Sequence, residues 1–334
     1  MKSAIHSFAL VLAIVWPLAL TAPAVAQTGK VYILEGEKGD RGYWKTTYDA
    51  DPPKQLRQVG PEYPAIRERL MRRRVLEEYA EFLSPVRWPH ALGLFASACS
   101  GGTGDSPHYL TGQYLMNLCY QFDVMYEKYA DDLVKAQSKR KLWTPVSRNS
   151  LIAGMYVATL LHETGHAAFD IMDIPVFGRE EDAADQFEGF LALQFGKETA
   201  RTVIKGDAYF WYVEVSDLKA DPPIMKPDPR NRNYPNDAEQ QCQLDPFCAY
   251  AGVHGTASQR MYNMLCIASG GQPDWFKDFV GSRWLPPERL KNCPAEYQRV
   301  KTAFQNTIMP FIDQEQMKKV QAKSWFTGEE VKER

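Results

Sequence analysis

Apolar positions three and four residues apart dominate the middle of this chain. Leu151, Met155, Ala158, Leu161, Gly165 and Phe169 recur at that spacing and predict a long helix over 149–172. Ile174-Pro175-Val176-Phe177-Gly178 interrupts the pattern, and a second helical run follows over 179–196. A helical hairpin is therefore expected, with the start of the second helix lying beside the end of the first. One strong helix begins near residue 61, with Ile66, Leu70, Tyr79 and Leu83 on its apolar side. Further helices are predicted over 123–138, 199–215, 256–268 and 295–312. Ala91–Cys99 and Gln113–Phe122 read as strands, separated by a Gly-rich turn region at 100–112. Pro, Asn and Asp accumulate from Asp221 to Asp237 inside what reads as an insertion over 215–250. The class is mainly α (α+β), with a small antiparallel sheet.

The two ends read differently. Lys2, an apolar run from Phe8 to Leu20, and Ala24-Val25-Ala26 make a secretory leader that predicts a mature start at Gln27. The chain then divides into the leader (1–26), an N-terminal extension (27–60), one domain (61–317) and a charged tail (318–334) expected to fray. No other stretch is apolar enough to span a membrane. The 334 residues carry 41 acidic and 39 basic side chains, and this balance argues against a nucleic-acid partner. The basic run Arg72-Arg73-Arg74 reads as a solvated helix face. Six cysteines, at 99, 119, 242, 248, 266 and 293, form an even set with no C-x-x-C spacing. Export places them in an oxidising compartment, the periplasm, where disulfides form, with fifteen connectivities open.

The chemistry is concentrated in His162-Glu163-Thr164-Gly165-His166. Histidines four apart on a helix share a face, so both imidazoles can reach one metal ion. The glutamate after the first histidine stands beside that metal, where it can take a proton from water. Glu181 in the second helix is placed to be a third ligand, and Asp185, one turn on, could accept the free ring N–H of a ligating histidine. Acidic residues in a first helical turn also suit the helix dipole without any metal. Asp182 and Asp185 remain alternatives for the third ligand. His90 reads as a packing residue and His108, in a polar loop, as solvent-exposed.

These motifs resemble the gluzincin metallopeptidases, in which His-Glu-x-x-His is followed by Glu-x-x-Ala-Asp. They resemble more closely a bacterial metallopeptidase family classed as a domain of unknown function. The resemblance is carried by Leu161–Ala167 and Gly178–Asp185. It extends to Cys119-Tyr120, His254, Gln259–Asn263 with Cys266, and Cys293 before Glu296-Tyr297. It spans roughly 60–310 and departs from such families just before His254, where Gly252 and Val253 stand in place of an acidic residue. A metzincin is excluded, because Met172 and Phe169 stand where a third histidine and a glycine would be needed. The resemblance implies a disulfide-stapled, zincin-like helical domain holding one zinc ion per chain through His162, His166 and Glu181. It further implies Glu163 as general base, Asp185 behind the ligands, and His254 as a group that steadies developing negative charge. Together with order along the chain it favours disulfides 99–119, 242–248 and 266–293. The activity implied is a secreted peptidase acting on peptides or proteins. The rival is an exported zinc-binding structural or scaffold protein, although such a site has no need for the base that Glu163 provides.

Overall fold

A computed structural model describes residues 31–33, 61–99, 106–138, 146–217, 224–225, 253–280 and 284–326. The leader, most of the N-terminal extension, most of the 215–250 insertion and the Cys242–Cys248 pairing lie outside the described residues. In chain order the elements begin with β1 (Val31–Ile33), α1 (Tyr63–Arg73), α2 (Val75–Phe82), β2 (Leu92–Ser97), β3 (His108–Leu110) and β4 (Leu115–Cys119). Next come α3 (Tyr120–Ser138), α4 (Arg148–Ile171), α5 (Glu180–Gln194) and α6 (Lys197–Val215). The short strands β5 (Ser216–Asp217) and β6 (Ile224–Met225) precede α7 (Ala257–Gly271), α8 (Pro287–Leu290), α9 (Cys293–Thr307) and α10 (Gln314–Gln321).

The domain is mainly helical, as expected, and β5 and β6 pair as a two-stranded antiparallel ribbon, but the small four-stranded sheet is mixed rather than antiparallel. Its order is β1-β2-β4-β3. β2 runs parallel to β1 and to β4, and β3 alone pairs antiparallel, with β4. The cause lies in the turn at 111–114, where Gly112 (φ 71°) and Tyr114 (φ 57°) adopt left-handed backbone and close a hairpin between β3 and β4. That reversal sends β4 in the same direction as β2. The Cys99–Cys119 disulfide staples the ends of β2 and β4, and Cys266–Cys293 ties α7 to α9.

α4 is the central element. Ser147 caps it by accepting from the Ser150 N–H at 3.1 Å. Fifteen of its 24 residues are buried, so it is covered by neighbours on most of its circumference. α6 crosses it backbone to backbone, since a Cβ on Gly154 would stand 2.2 Å from Thr202 O. α5 approaches at Gly165, where a Cβ would stand 3.0 Å from Ala184 Cα. The helix expected from residue 61 is divided into α1 and α2 by Arg74, which takes φ 51° and ends the first segment. The chain beyond Lys318 does not fray at once. α10 continues to Gln321 and buries Met317 and Val320. Trp325 and Phe326 then pack on Phe82, with ring centroids 5.6 and 5.2 Å away. Burying such side chains stabilises by about 1.5–3 kcal/mol each. Among the described residues no helix is long and apolar enough to cross a membrane.

Candidate metal centre

α4 places His162 and His166 one turn apart on the face turned toward α5. The 171–179 connection brings α5 back beside them, with Gly178 (φ 114°) in a conformation that favours glycine. Glu180, Glu181 and Asp182 fill the first turn of α5, where the helix dipole favours negative charge. Glu181 Oε2 lies 3.0 Å from His162 Nε2 and 3.5 Å from His166 Nε2, and the two Nε2 atoms are 3.3 Å apart. Ligand atoms at tetrahedral corners, with bonds of about 2.1 Å, are separated by about 3.4 Å. The three donors thus fit one tetrahedral ion, and their two-nitrogen, one-oxygen chemistry suits zinc.

Each histidine is held from behind by a carboxylate. Asp185 Oδ1 lies 2.9 Å from His162 Nδ1, and Glu180 Oε1 lies 2.7 Å from His166 Nδ1. Both rings therefore turn Nε2 toward the common point, and a ring N–H donated backward fixes that tautomer. Asp182, an alternative third ligand in sequence, is instead gripped by Arg179 at 2.8 Å. Asp185, the other alternative, is engaged by His162 Nδ1 and by Arg260, whose Nε donates to Asp185 Oδ2 at 2.8 Å and whose Nη2 bonds Oδ1. Burial alone would raise Asp185, but Arg260 and His162 outweigh it and lower its carboxyl to about 2. Burial would likewise raise Glu181, yet hydrogen bonds from His162, His166 and His254 hold it well below the usual carboxylate range. Burial works to lower His162, and Asp185 and Glu181 overcome it to raise the ring to about 9.

Glu163 is buried, and that burial pushes its pKa up against the opposing pull of His162 and His166. It shares with His162, His166, Glu180, Glu181 and His254 a cleft of about 450 Å³, within the size range of ligand pockets. The far wall comes from 106–111, including His108 and Tyr109 of β3. His108 is therefore a half-buried cleft residue, with Nδ1 2.9 Å from Ser106 O, and not the solvated loop residue expected. β3 is the edge of the sheet, and its position is fixed to α4. The Tyr109 hydroxyl and the Gly112 N–H both donate to Asp170 Oδ2, at 2.7 and 2.9 Å. His254 also lines the cleft, its Nε2 2.9 Å from Glu181 Oε2. His90 stacks on Tyr114 at 4.8 Å, a packing contact.

Four buried side chains behind the site, Arg260, Trp211, Asp207 and Glu188, have no role predicted from sequence. Arg260 sits 4.2 Å over the Trp211 ring, and Trp211 Nε1 donates to Asp207 Oδ1 at 2.8 Å. Burial raises Asp207 to about 7, and it also raises Glu188, with the charge of Asp207 adding to the effect. A signal for Arg260 was present: one arginine inside a helix whose following residues, Met261 and Met264–Ala268, are apolar and buried. Such a position requires an acidic partner.

No curated protein and no solved structure matches this chain. A family model described as "Putative metallopeptidase" matches residues 57–308, which include every residue of the centre just described. That match covers about three-quarters of the 334 residues, and the chain belongs to this metallopeptidase family.

Proposed function

We propose that this protein is an exported zinc-dependent peptidase that hydrolyses peptide bonds in the cleft between β3 and the α4–α5 hairpin. The observation that carries the reading is the convergence of His162, His166 and Glu181 within 3.0–3.5 Å of one another, with Glu163 facing the same cleft. His162, His166 and Glu181 would hold the ion, and Asp185 and Glu180 would keep both rings in the ligating tautomer. Zinc bound there would supply Lewis acidity to the scissile carbonyl and to the attacking water. Glu163 takes the proton of that water and returns it to the leaving amine. Its raised pKa makes it a stronger base than a solvated glutamate. The main-chain groups of edge strand β3 can pair with an extended peptide, which fixes the substrate along the cleft. His254, which lines the same cleft beside Glu181, would steady negative charge that develops at the carbonyl oxygen.

Glu163→Gln tests the assignment, because it keeps volume and reach while removing the basic carboxylate. The variant should fold and hold one zinc per chain like the parent. Turnover across a broad peptide library should fall by at least about a hundredfold. Equal turnover by both proteins would refute the role of Glu163, and the absence of zinc-dependent cleavage in the parent would favour a metal-binding scaffold. Export to the periplasm is supported by the leader and by two disulfides. It predicts an intact mass that begins at Gln27, and a mass retaining residues 1–26 would overturn it.

A further inference from the structure

His254 reaches the centre from a segment that is otherwise distant from it in sequence. Residues 253–256 lie between α5 and the start of α7. At one end Thr256 caps α7 in a capping box with Gln259. At the other end the contact is made by Arg179, the residue immediately before α5. Its guanidinium donates to Asp182 Oδ2 through Nε at 2.9 Å, with Nη2 2.8 Å from the same oxygen. The remaining nitrogen, Nη1, donates to the main-chain oxygen of His254 at 3.2 Å. Asp182 also meets the segment directly, since a Cβ on Gly255 would stand 3.4 Å from Asp182 Oδ1. Arg179 thus bridges the first turn of α5 to the backbone of His254. A planar guanidinium spreads its donors over a rigid fork and can bridge a carboxylate and a carbonyl that face different edges of it, whereas the donors of an ammonium all leave one nitrogen.

We propose that Arg179 is a positioning residue whose clamp on the His254 backbone keeps that imidazole on the Glu181 carboxylate. The inference rests on His162, His166 and Glu181 being the metal ligands. A ligating carboxylate whose outer partner is lost binds its metal more weakly, so the clamp is read in metal affinity and not only in turnover. Among the described residues Arg179 is bonded to Asp182 and to the His254 backbone and not to Asp185 or Glu180, which hold His162 and His166 from behind. Its removal therefore acts first on the Glu181 side of the centre.

A double-mutant cycle on zinc affinity decides the matter, measured on the full chain by competition with a chromophoric chelator. The four proteins are the parent, His254→Ala, Arg179→Met and the double variant. His254→Ala should weaken zinc binding roughly tenfold, the lower end of losses for outer partners of a ligand. Arg179→Met should produce part of that loss, and no further loss in the His254→Ala background, because the two act as one unit. Arg179→Lys keeps the charge without the span and should resemble Arg179→Met. Additive losses, an unaffected Arg179→Met, or full affinity in Arg179→Lys would each overturn the proposal. Asp182→Asn loosens the other end of the clamp and should couple to His254→Ala in the same way, should an Arg179 variant not fold. A parent that binds zinc but shows an additive cycle overturns the clamp alone. A parent that binds no zinc overturns the ligand assignment, and the clamp with it.

Discussion

Replacing Arg260 with methionine isolates the contribution of the buried network behind the centre. Arg260 is 6% exposed and Asp185 5% exposed, and the pair shares two hydrogen bonds. Arg260→Met keeps most of the side-chain volume and its contact with Trp211, but it leaves the Asp185 carboxylate buried beside Asp207 and Glu188. Breaking a buried pair from one side costs about 3–5 kcal/mol. His162 remains as a neighbouring cation, so the lower half of that range is expected. Unfolding entropy of about 2.1 cal/mol/K per residue, over about 300 residues, converts this loss to a fall in Tm of about 5–6 °C. The assay is thermal and urea unfolding of disulfide-intact protein with a chelator present, so that differences in metal affinity do not enter. A second variant, Arg260→Met with Asp185→Asn, removes the stranded charge and should recover at least half of the loss. A Tm change under about 2 °C in the single variant would refute the reasoning, as would a double variant less stable than the single.

Two further outcomes follow from the carboxylates. Asp185→Asn and Glu180→Gln should each weaken zinc binding, Asp185→Asn by about ten- to a hundredfold and Glu180→Gln by less, because the Glu180 side chain is 57% exposed and the Asp185 side chain is buried. Equal losses in a chelator competition would contradict that ordering. Burial raises Asp123 to about 8 despite Arg69 at 3.6 Å. A folded pKa raised above the unfolded value means that its contribution to stability is complete below about pH 4 and is lost as pH rises through about 8. Urea titrations across that window should show a shallower decline in Asp123→Asn than in the parent, and parallel curves would refute the shift.

How much of this could be read from the chain depended on sequence distance. His162, His166 and Glu181 fall within twenty positions, and helical spacing with a short turn is enough to bring them together. The partners of Asp185 and His254 obey no such spacing. Arg260 lies 75 residues beyond Asp185, and α7 is brought against α5 by close packing such as that at Gly189, where a Cβ would stand 2.8 Å from Met264 Sδ. His108 escaped for a different reason. β3 has three residues, too few for an alternation to register, and its Gly-rich approach resembles any loop. The parallel pairing of β2 with β4 likewise depended on left-handed backbone at Tyr114, a residue type that gives no warning of it. Trp325 and Phe326 were hidden by the charged residues around them.

The grouping of all three proposed ligands on one helical hairpin also bears on how the protein matures. Contacts between residues close in sequence form early, because little chain entropy is spent in closing them. With His162, His166 and Glu181 as the proposed ligands, the α4–α5 hairpin would take up its metal ion while α7, which brings Arg260, is still undocked. Metal capture and functional alignment become separable events, and metal present from the start of refolding should shorten the first without shortening the second. If the chain is exported and holds its ion as proposed, emergence N-terminus first brings the ligands together before the segment that carries Arg260 has arrived.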